Sequence, residues 1–333
     1  MLEGLFTFHL PFLLDSVLIF FLAFLIDIVF GEYPDRIHPT IAIGKVIAFL
    51  RPKLKNKNPK VEKTNGVLLV VAVALLFSLP VFALLFGIRT YLGSIPYIIV
   101  GAILFKATFA IRGMGQYTIP ISKSLKKNDI AEARHWMPYI VRRDPNSCNE
   151  RQIISAAVES IAESTTDGIT APFFFFMLLG VPGAFAYRVV NTLDSMVAYK
   201  TPELISIGWF TAKMDSWTNY IPARLTAILM VASAGLVGQN ARESLRILRR
   251  DKNQTVSLNA GWTISAMAGA LNIQLEKQGC YKLGDDHEIA SDDIMKALRV
   301  MQVTAALFGL IVVFPLLAIR VYIVGLLVNI LRR

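Results

Sequence analysis

Cysteine and histidine are almost missing from this chain. Its 333 residues hold two cysteines, Cys148 and Cys280, and four histidines, His9, His38, His135 and His287. None has metal-ligand spacing, and two cysteines make no disulfide framework, so neither a zinc site nor a stapled secreted scaffold is expected. Charge is scarce as well: 17% of residues are charged and 54% hydrophobic, where a soluble domain is about 25% charged. That balance predicts a multi-span membrane protein. The chain also lacks a P-loop, a Gly-x-Ser-x-Gly elbow and a two-histidine metalloprotease helix, so any nucleotide must bind at a nonstandard site. The amino-terminal apolar run has no basic n-region or small-residue cleavage site, and is expected to be a retained span.

What charge there is lies in clusters. The net charge of +10 gathers in Arg51–Lys63, in Lys123–Arg143 and in Arg242–Lys252. Each cluster flanks an apolar run. Positive-inside topology explains this placement with fewer assumptions than nucleic-acid binding, and no nucleic-acid partner is expected. The long apolar runs are 10–30, 64–88, 90–105, 168–187 and 300–319, with a shorter one at 225–241. Together they predict an all-α, polytopic protein with about four to six membrane helices and helical cytoplasmic loops. Pro172, Gly180, Pro182 and Gly183 break the run 168–187, which favours a re-entrant or tilted element; the alternative is a crossing that carries 188–224 outside. Residues 253–275 are uncharged but too polar for lipid, and 279–293 reads as a loop. With no repeat and no linker, residues 1–333 read as one integral domain, its polar core in 143–224 and 253–299.

Ionisable residues near a bilayer are costly, so they point to function. Glu159, Glu163 and Asp167 recur every fourth residue, along one face if the segment is helical. Three such carboxylates suit a hard cation such as Mg²⁺ with phosphate and water as further ligands. The same spacing also suits a plain solvated acidic face, the commoner use. Asp194 and Asp215 add carboxylates, and Asn191 and Asn219 add amides. Arg143, Lys200, Lys213 and Arg224 are phosphate or carboxylate clamps by chemistry, with interfacial snorkelling as the plainer alternative. His38, which precedes a proline, sits at a loop mouth.

Read in order, these motifs resemble the CobD/CbiB family, the adenosylcobinamide-phosphate synthases of cobalamin biosynthesis. The matching stretches begin with Asp27-x3-Gly31-x2-Pro34-x3-His38-Pro39-x4-Gly44 and Arg143-Asp144. They continue with Glu159-Ser160-x-Ala162-Glu163-x-Thr165-x-Asp167-Gly168 and with Asn191 through Asp194 to Lys200. Asp215-x3-Asn219, the Ile221–Arg224 turn and Asn259-Ala-x-Trp262 complete the set. Ser164 and Ser216 depart from the family pattern.

The resemblance implies a ligase in the cell's inner or plasma membrane with its site facing the cytoplasm. It would join adenosylcobyric acid to aminopropanol phosphate or a related amino-alcohol phosphate, with ATP as cosubstrate and Mg²⁺ as the expected metal. Membrane lipid and later enzymes of the corrinoid pathway are the implied partners. On that reading Glu159, Glu163 and Asp167 surround the metal, and Asp194 and Asp215 are further ligands or the base. Arg143, Lys200, Lys213 and Arg224 hold phosphates, Asn191 and Asn219 orient substrate, and His38 contacts it. A noncatalytic sensor of the AmpE type and a membrane transporter are the competing readings.

Overall fold

A computed structural model describes residues 2–331 except positions 37 and 200; side chains are described from residue 13 onward, apart from 324, 325, 327–329 and 331. Fourteen helices carry the described residues: α1 (Leu2–Phe30), α2 (Pro39–Leu54), α3 (Pro59–Tyr91), α4 (Ser94–Lys106), α5 (Ile111–Lys126), α6 (Ile130–Trp136), α7 (Glu150–Ser164), α8 (Ala171–Val197), α9 (Trp209–Thr218), α10 (Tyr220–Leu236), α11 (Ala241–Asp251), α12 (Ala260–Leu271), α13 (Asp292–Phe308) and α14 (Phe314–Leu331). Between α12 and α13 lies an antiparallel hairpin, β1 (Leu275–Lys277) and β2 (Tyr281–Leu283). Five helical stretches are long and apolar enough to cross a membrane: Leu13–Phe30, Pro59–Tyr91, Ser94–Lys126, Glu150–Val197 and Asp292–Ile323. The surface of α3 turns Leu68, Leu76, Leu79 and Phe86 outward, a face that lipid accepts and water would penalise. The protein is an all-α integral membrane protein.

Where composition reads as a single domain, the chain folds as two compact units interleaved in sequence. One comprises 1–110, 171–218 and 309–333, the other 111–170 and 219–308. Neither is a continuous segment, so no linker or composition shift marks a boundary.

The first unit shows how an apolar chain manages its polar groups. Lys106 at the end of α4 is fully buried, 2.9 Å from Asp27 on α1 and 3.0 Å from Glu32 in the following loop. It also donates to the Phe109 carbonyl at 3.1 Å. The other Glu32 oxygen meets His38 Nε2 at 3.1 Å, while His38 Nδ1 accepts from the Thr40 amide and caps α2. Burial acts to raise the Glu32 carboxyl, but the hydrogen bonds to His38 and Lys106 and the Lys106 charge outweigh it and hold it below the ordinary range. Asp15 of α1 pairs with Arg89 of α3 at 3.1 Å. Around these pairs Phe20, Phe105, Phe173, Phe176 and Phe314 interlock, with Phe105 stacked on Phe176 at 4.1 Å.

The run at 168–187 is sharply kinked instead of running straight. Gly180, at φ 69° and ψ −163°, breaks α8 into two helical pieces, a backbone state that side chains with Cβ rarely adopt. Twelve residues of straight helix rise about 18 Å, yet the rings of Phe175 and Tyr187 stack at 5.1 Å. The break strips carbonyls at the end of the first piece of their helical donors. Arg320 of α14 supplies the replacement, donating to Met177 O at 2.9 Å and Phe176 O at 3.4 Å.

Breaking a buried ion pair from one side costs about 3–5 kcal/mol, so Lys106→Met, which strands Asp27 and Glu32, should destabilise by that amount. Thermal unfolding in detergent measures it. A midpoint equal to that of the parent would show that the lysine does not hold the two carboxylates.

Candidate active site

In the second unit one carboxylate gathers three donors. The start of α7 is fixed by a capping box: Asn149 accepts from the Gln152 amide, and Gln152 accepts in return from the Asn149 amide. One turn earlier, the Asp144 side chain caps the short 3-10 turn Pro145–Ser147 and so sets the backbone beside Arg143. The Glu159 carboxylate, buried on α7, accepts from Arg143 Nη2 at 2.6 Å, Tyr281 Oη at 2.7 Å and Ser155 Oγ at 2.7 Å. Arg143 Nη1 also donates to Glu276 O at 3.2 Å, and the Glu276 amide donates to Ser155 Oγ at 2.7 Å. These bonds clamp β1 onto α7.

The second strand of the hairpin, β2, falls within 279–293, which the sequence reading takes for loop. Leu275 pairs with Leu283 and Lys277 with Tyr281, around Gln278–Cys280 with Gly279 at φ 71°. A three-residue connection with glycine in the left-handed region is a standard hairpin turn. Strands of three residues are too short to show alternation in sequence. Burial first, then the charge and hydrogen bond of Glu159, then the charge of Glu163 push the Tyr281 hydroxyl far above the ordinary range, with Arg143 offsetting a part. Tyr281 is therefore a donor and not a base. An open cavity of about 160 Å³ lies alongside, lined by Arg143, Ser147, Cys148, Gln152, Glu276, Lys277 and Gln278.

The three spaced carboxylates meet three environments. Glu159 is buried and committed to its donors, Glu163 is exposed, and Asp167 is half-buried. Asp167 lies in a π-helical turn, Thr165–Thr170, of a kind that recurs at functional sites. Among the described residues no three His, Cys, Asp or Glu side chains gather into a metal-holding group. With Glu159 committed to its donors, the spaced set leaves Glu163 and Asp167 as carboxylates of the kind Mg²⁺ takes alongside phosphate and water. The oxygens of Glu159 serve Arg143, Tyr281 and Ser155 instead.

Arg224 on α10 is held by aromatic stacking. Its guanidinium lies 3.4 Å from the Tyr220 ring centroid and 4.7 Å from that of Trp262. Nη1 donates to Tyr220 O at 2.6 Å and Asn259 Oδ1 at 3.2 Å. Asn219, buried, is the residue that precedes α10.

The remaining candidates lie in the first unit. Arg188 donates to Asn191 Oδ1 at 3.3 Å and to Thr40 Oγ1 at 3.4 Å. Asp194 follows half-buried on α8, and Asp215 is half-buried on α9. Lys213 is exposed with its ammonium 4.7 Å from the Trp209 ring centroid. Both ring nitrogens of His38 are engaged within the fold, one by Glu32 and one by Thr40. Lys200 lies outside the described residues. Tyr281, Ser155, Glu276 and Lys277 are missed by sequence reasoning, because contacts 121–133 residues apart leave no local signal.

Apolar spans with buried ion pairs, and an arginine–carboxylate–phenol cluster beside a small cavity, define a polytopic membrane protein. The family model described as CobD/Cbib protein matches residues 20–323. The probable cobalamin biosynthesis protein CobD of Methanothermobacter thermautotrophicus is 42% identical over 298 residues, 89% of this chain and 97% of that protein. The cobalamin biosynthesis proteins CobD of Dehalococcoides mccartyi and Klebsiella pneumoniae are 41% and 35% identical, over 82% and 88% of this chain and 88% and 95% of theirs. No solved structure matches it. The chain belongs to the CobD/CbiB family of cobalamin biosynthesis proteins.

Hydrogen bonds to charged groups contribute about 1.5–3 kcal/mol, and Tyr281→Phe should lose that amount in thermal or denaturant unfolding. A raised phenol pKa contributes stability below the unfolded value, here 10.0, and loses it as pH rises through the folded one. The gap between parent and variant should therefore be full at pH 8 and narrow above pH 10. A gap that does not change with pH would leave the phenol proton without a part in it.

Proposed function

We propose that this protein joins the free side-chain carboxylate of adenosylcobyric acid to the amine of an amino-alcohol phosphate, aminopropanol phosphate or a close relative, at the expense of ATP. The observation that carries this reading is the small cavity on which Arg143 and Lys277 converge. At about 160 Å³ it falls below the roughly 300–1,000 Å³ of common ligand pockets, which suits a small phosphate ester and not a macrocycle. Arg143 has five N–H donors, and Glu159 and the Glu276 carbonyl take two of them, leaving others for a phosphate. Gln152, Gln278 and Ser147 add neutral donors around the same space. The docked hairpin keeps this arrangement fixed before substrate arrives, so less ordering is needed on binding.

The chemistry needs an activated carboxylate. Phosphoryl transfer from ATP makes an acyl phosphate, and the amine displaces phosphate to form the amide. Mg²⁺ when bound would neutralise charge on the ATP phosphates. Glu163 and Asp167 are the residues to hold it. Arg143, kept in place by Glu159, would orient the phosphate of the amine substrate so that its nitrogen is presented for attack. Tyr281 remains protonated and donates to Glu159. The basic clusters beside the spans support a cytoplasmic site in the plasma membrane, where ATP is available.

Purified full-length protein in detergent, given adenosylcobyric acid, ATP, Mg²⁺ and aminopropanol phosphate, should release the amide and ADP. Glu163→Gln and Asp167→Asn should each lower kcat by about a hundredfold. Lys277→Met should raise KM for the amino-alcohol phosphate about tenfold with kcat kept, the size of one lost charge-assisted contact. Amide formation absent from the parent protein under these conditions would refute the reading; so would KM and kcat in Lys277→Met that match the parent.

A further inference from the structure

The third basic cluster supplies no residue to the proposed reaction. Arg242, Arg246, Arg249 and Arg250 share one side of α11 with Leu245, at offsets of four, seven and eight residues from Arg242. They line an open groove of about 530 Å³. The opposite side of α11 is fastened to α12: Ser244 Oγ donates to Ala266 O at 2.8 Å, and the Asn240 amide donates to Ala270 O at 3.0 Å. Ile247 and Leu248 are buried on that side. The helix cannot roll its arginines away from solvent without losing these contacts.

The charges in the groove are not balanced. Arg246 pairs with Glu243 and Asp285, and Arg250 pairs with Asp251 at 2.7 Å and Asp285 at 2.6 Å. Arg242 and Arg249 are exposed and have no acidic partner among the described residues. Guanidinium is the side chain best shaped for phosphate oxygens, which it meets with two parallel N–H donors. We propose that this groove is a binding site for a phosphate group, presented by an anionic phospholipid or by a soluble phosphate compound.

The lining favours the lipid. None of the five lining residues is aromatic, so a nucleotide base would find no aromatic ring to stack on. Leu245 offers an apolar floor among the cations. The segments flanking α11 expose Leu236, Val256 and Leu258, which suit acyl chains beside a headgroup. Basic residues of membrane proteins attract anionic lipid in this way, and salt weakens the attraction. The inference does not depend on the amide-forming reaction.

Native mass spectrometry of the full chain in detergent provides the test. The probes are dihexanoyl phosphatidylglycerol, dihexanoyl phosphatidylcholine, inorganic phosphate and ATP. Phosphatidylglycerol should bind in preference to phosphatidylcholine, and Arg242→Gln with Arg249→Gln should weaken it about tenfold. Arg242→Lys with Arg249→Lys keeps the charge and should lose less. Both residues are exposed, so an unchanged unfolding midpoint shows that the fold survives. Phosphatidylglycerol binding that millimolar phosphate and ATP do not displace identifies a lipid site. Displacement by either, lost in the same glutamine variant, identifies a soluble phosphate compound as the ligand. Equal binding of both lipids together with no phosphate or ATP binding overturns the proposal, as does binding that the glutamine variant leaves intact.

Discussion

A charge without water must find its partner inside the chain, and that constraint orders this protein. In a medium of low dielectric an isolated ion or an unmade backbone hydrogen bond costs several kcal/mol. Lys106 therefore sits between two carboxylates and a carbonyl, fully removed from solvent. Arg89 reaches Asp15, and Arg320 takes the carbonyls that the Gly180 break leaves over. Each pair joins segments distant in sequence. The ion pairs specify which helices meet, and the phenylalanine cluster fills the space between them.

The same constraint shapes the candidate site. A buried Glu159 needs donors, and it draws them from the loop before α7, from α7 itself and from a hairpin more than a hundred residues away. The carboxylate that spacing offers as a metal ligand is thereby turned into an anchor for a guanidinium. Its neighbours one and two turns on meet other surroundings. Glu163 is exposed and Asp167 half-buried, so their oxygens are not enclosed as those of Glu159 are.

Much of this is legible in the chain, for reasons tied to particular residues. Charge-free runs mark α3, α4 and the α13–α14 stretch because only apolar side chains tolerate lipid. Gly180 and Pro182 announce the kink in α8, since glycine alone accepts that backbone state cheaply. The site residues are legible as types but not as partners. Nothing local says that Glu159 meets Tyr281, because the hairpin is too short to show a period and the contact is made across the fold. His38 shows the converse. Its motif looks chemical, but its nitrogens are spent on Glu32 and on the start of α2. The interleaving of two units is invisible in composition, because both are built from helices of similar character.

Asp167 shows how a local defect can be kept for its placement. A π turn widens the helix and leaves carbonyls without regular donors. In Thr165–Thr170 threonine hydroxyls add bonds to backbone carbonyls: Thr165 Oγ1 donates to Ile161 O at 2.8 Å and Thr170 Oγ1 to Thr165 O at 3.1 Å. Thr170 Oγ1 is also 2.5 Å from Thr226 Oγ1 of α10, which ties the widened turn to a second helix. The presence of these hydroxyls around one acidic residue means that the turn is stabilised as it stands, with Asp167 held where ordinary helical spacing would not put it.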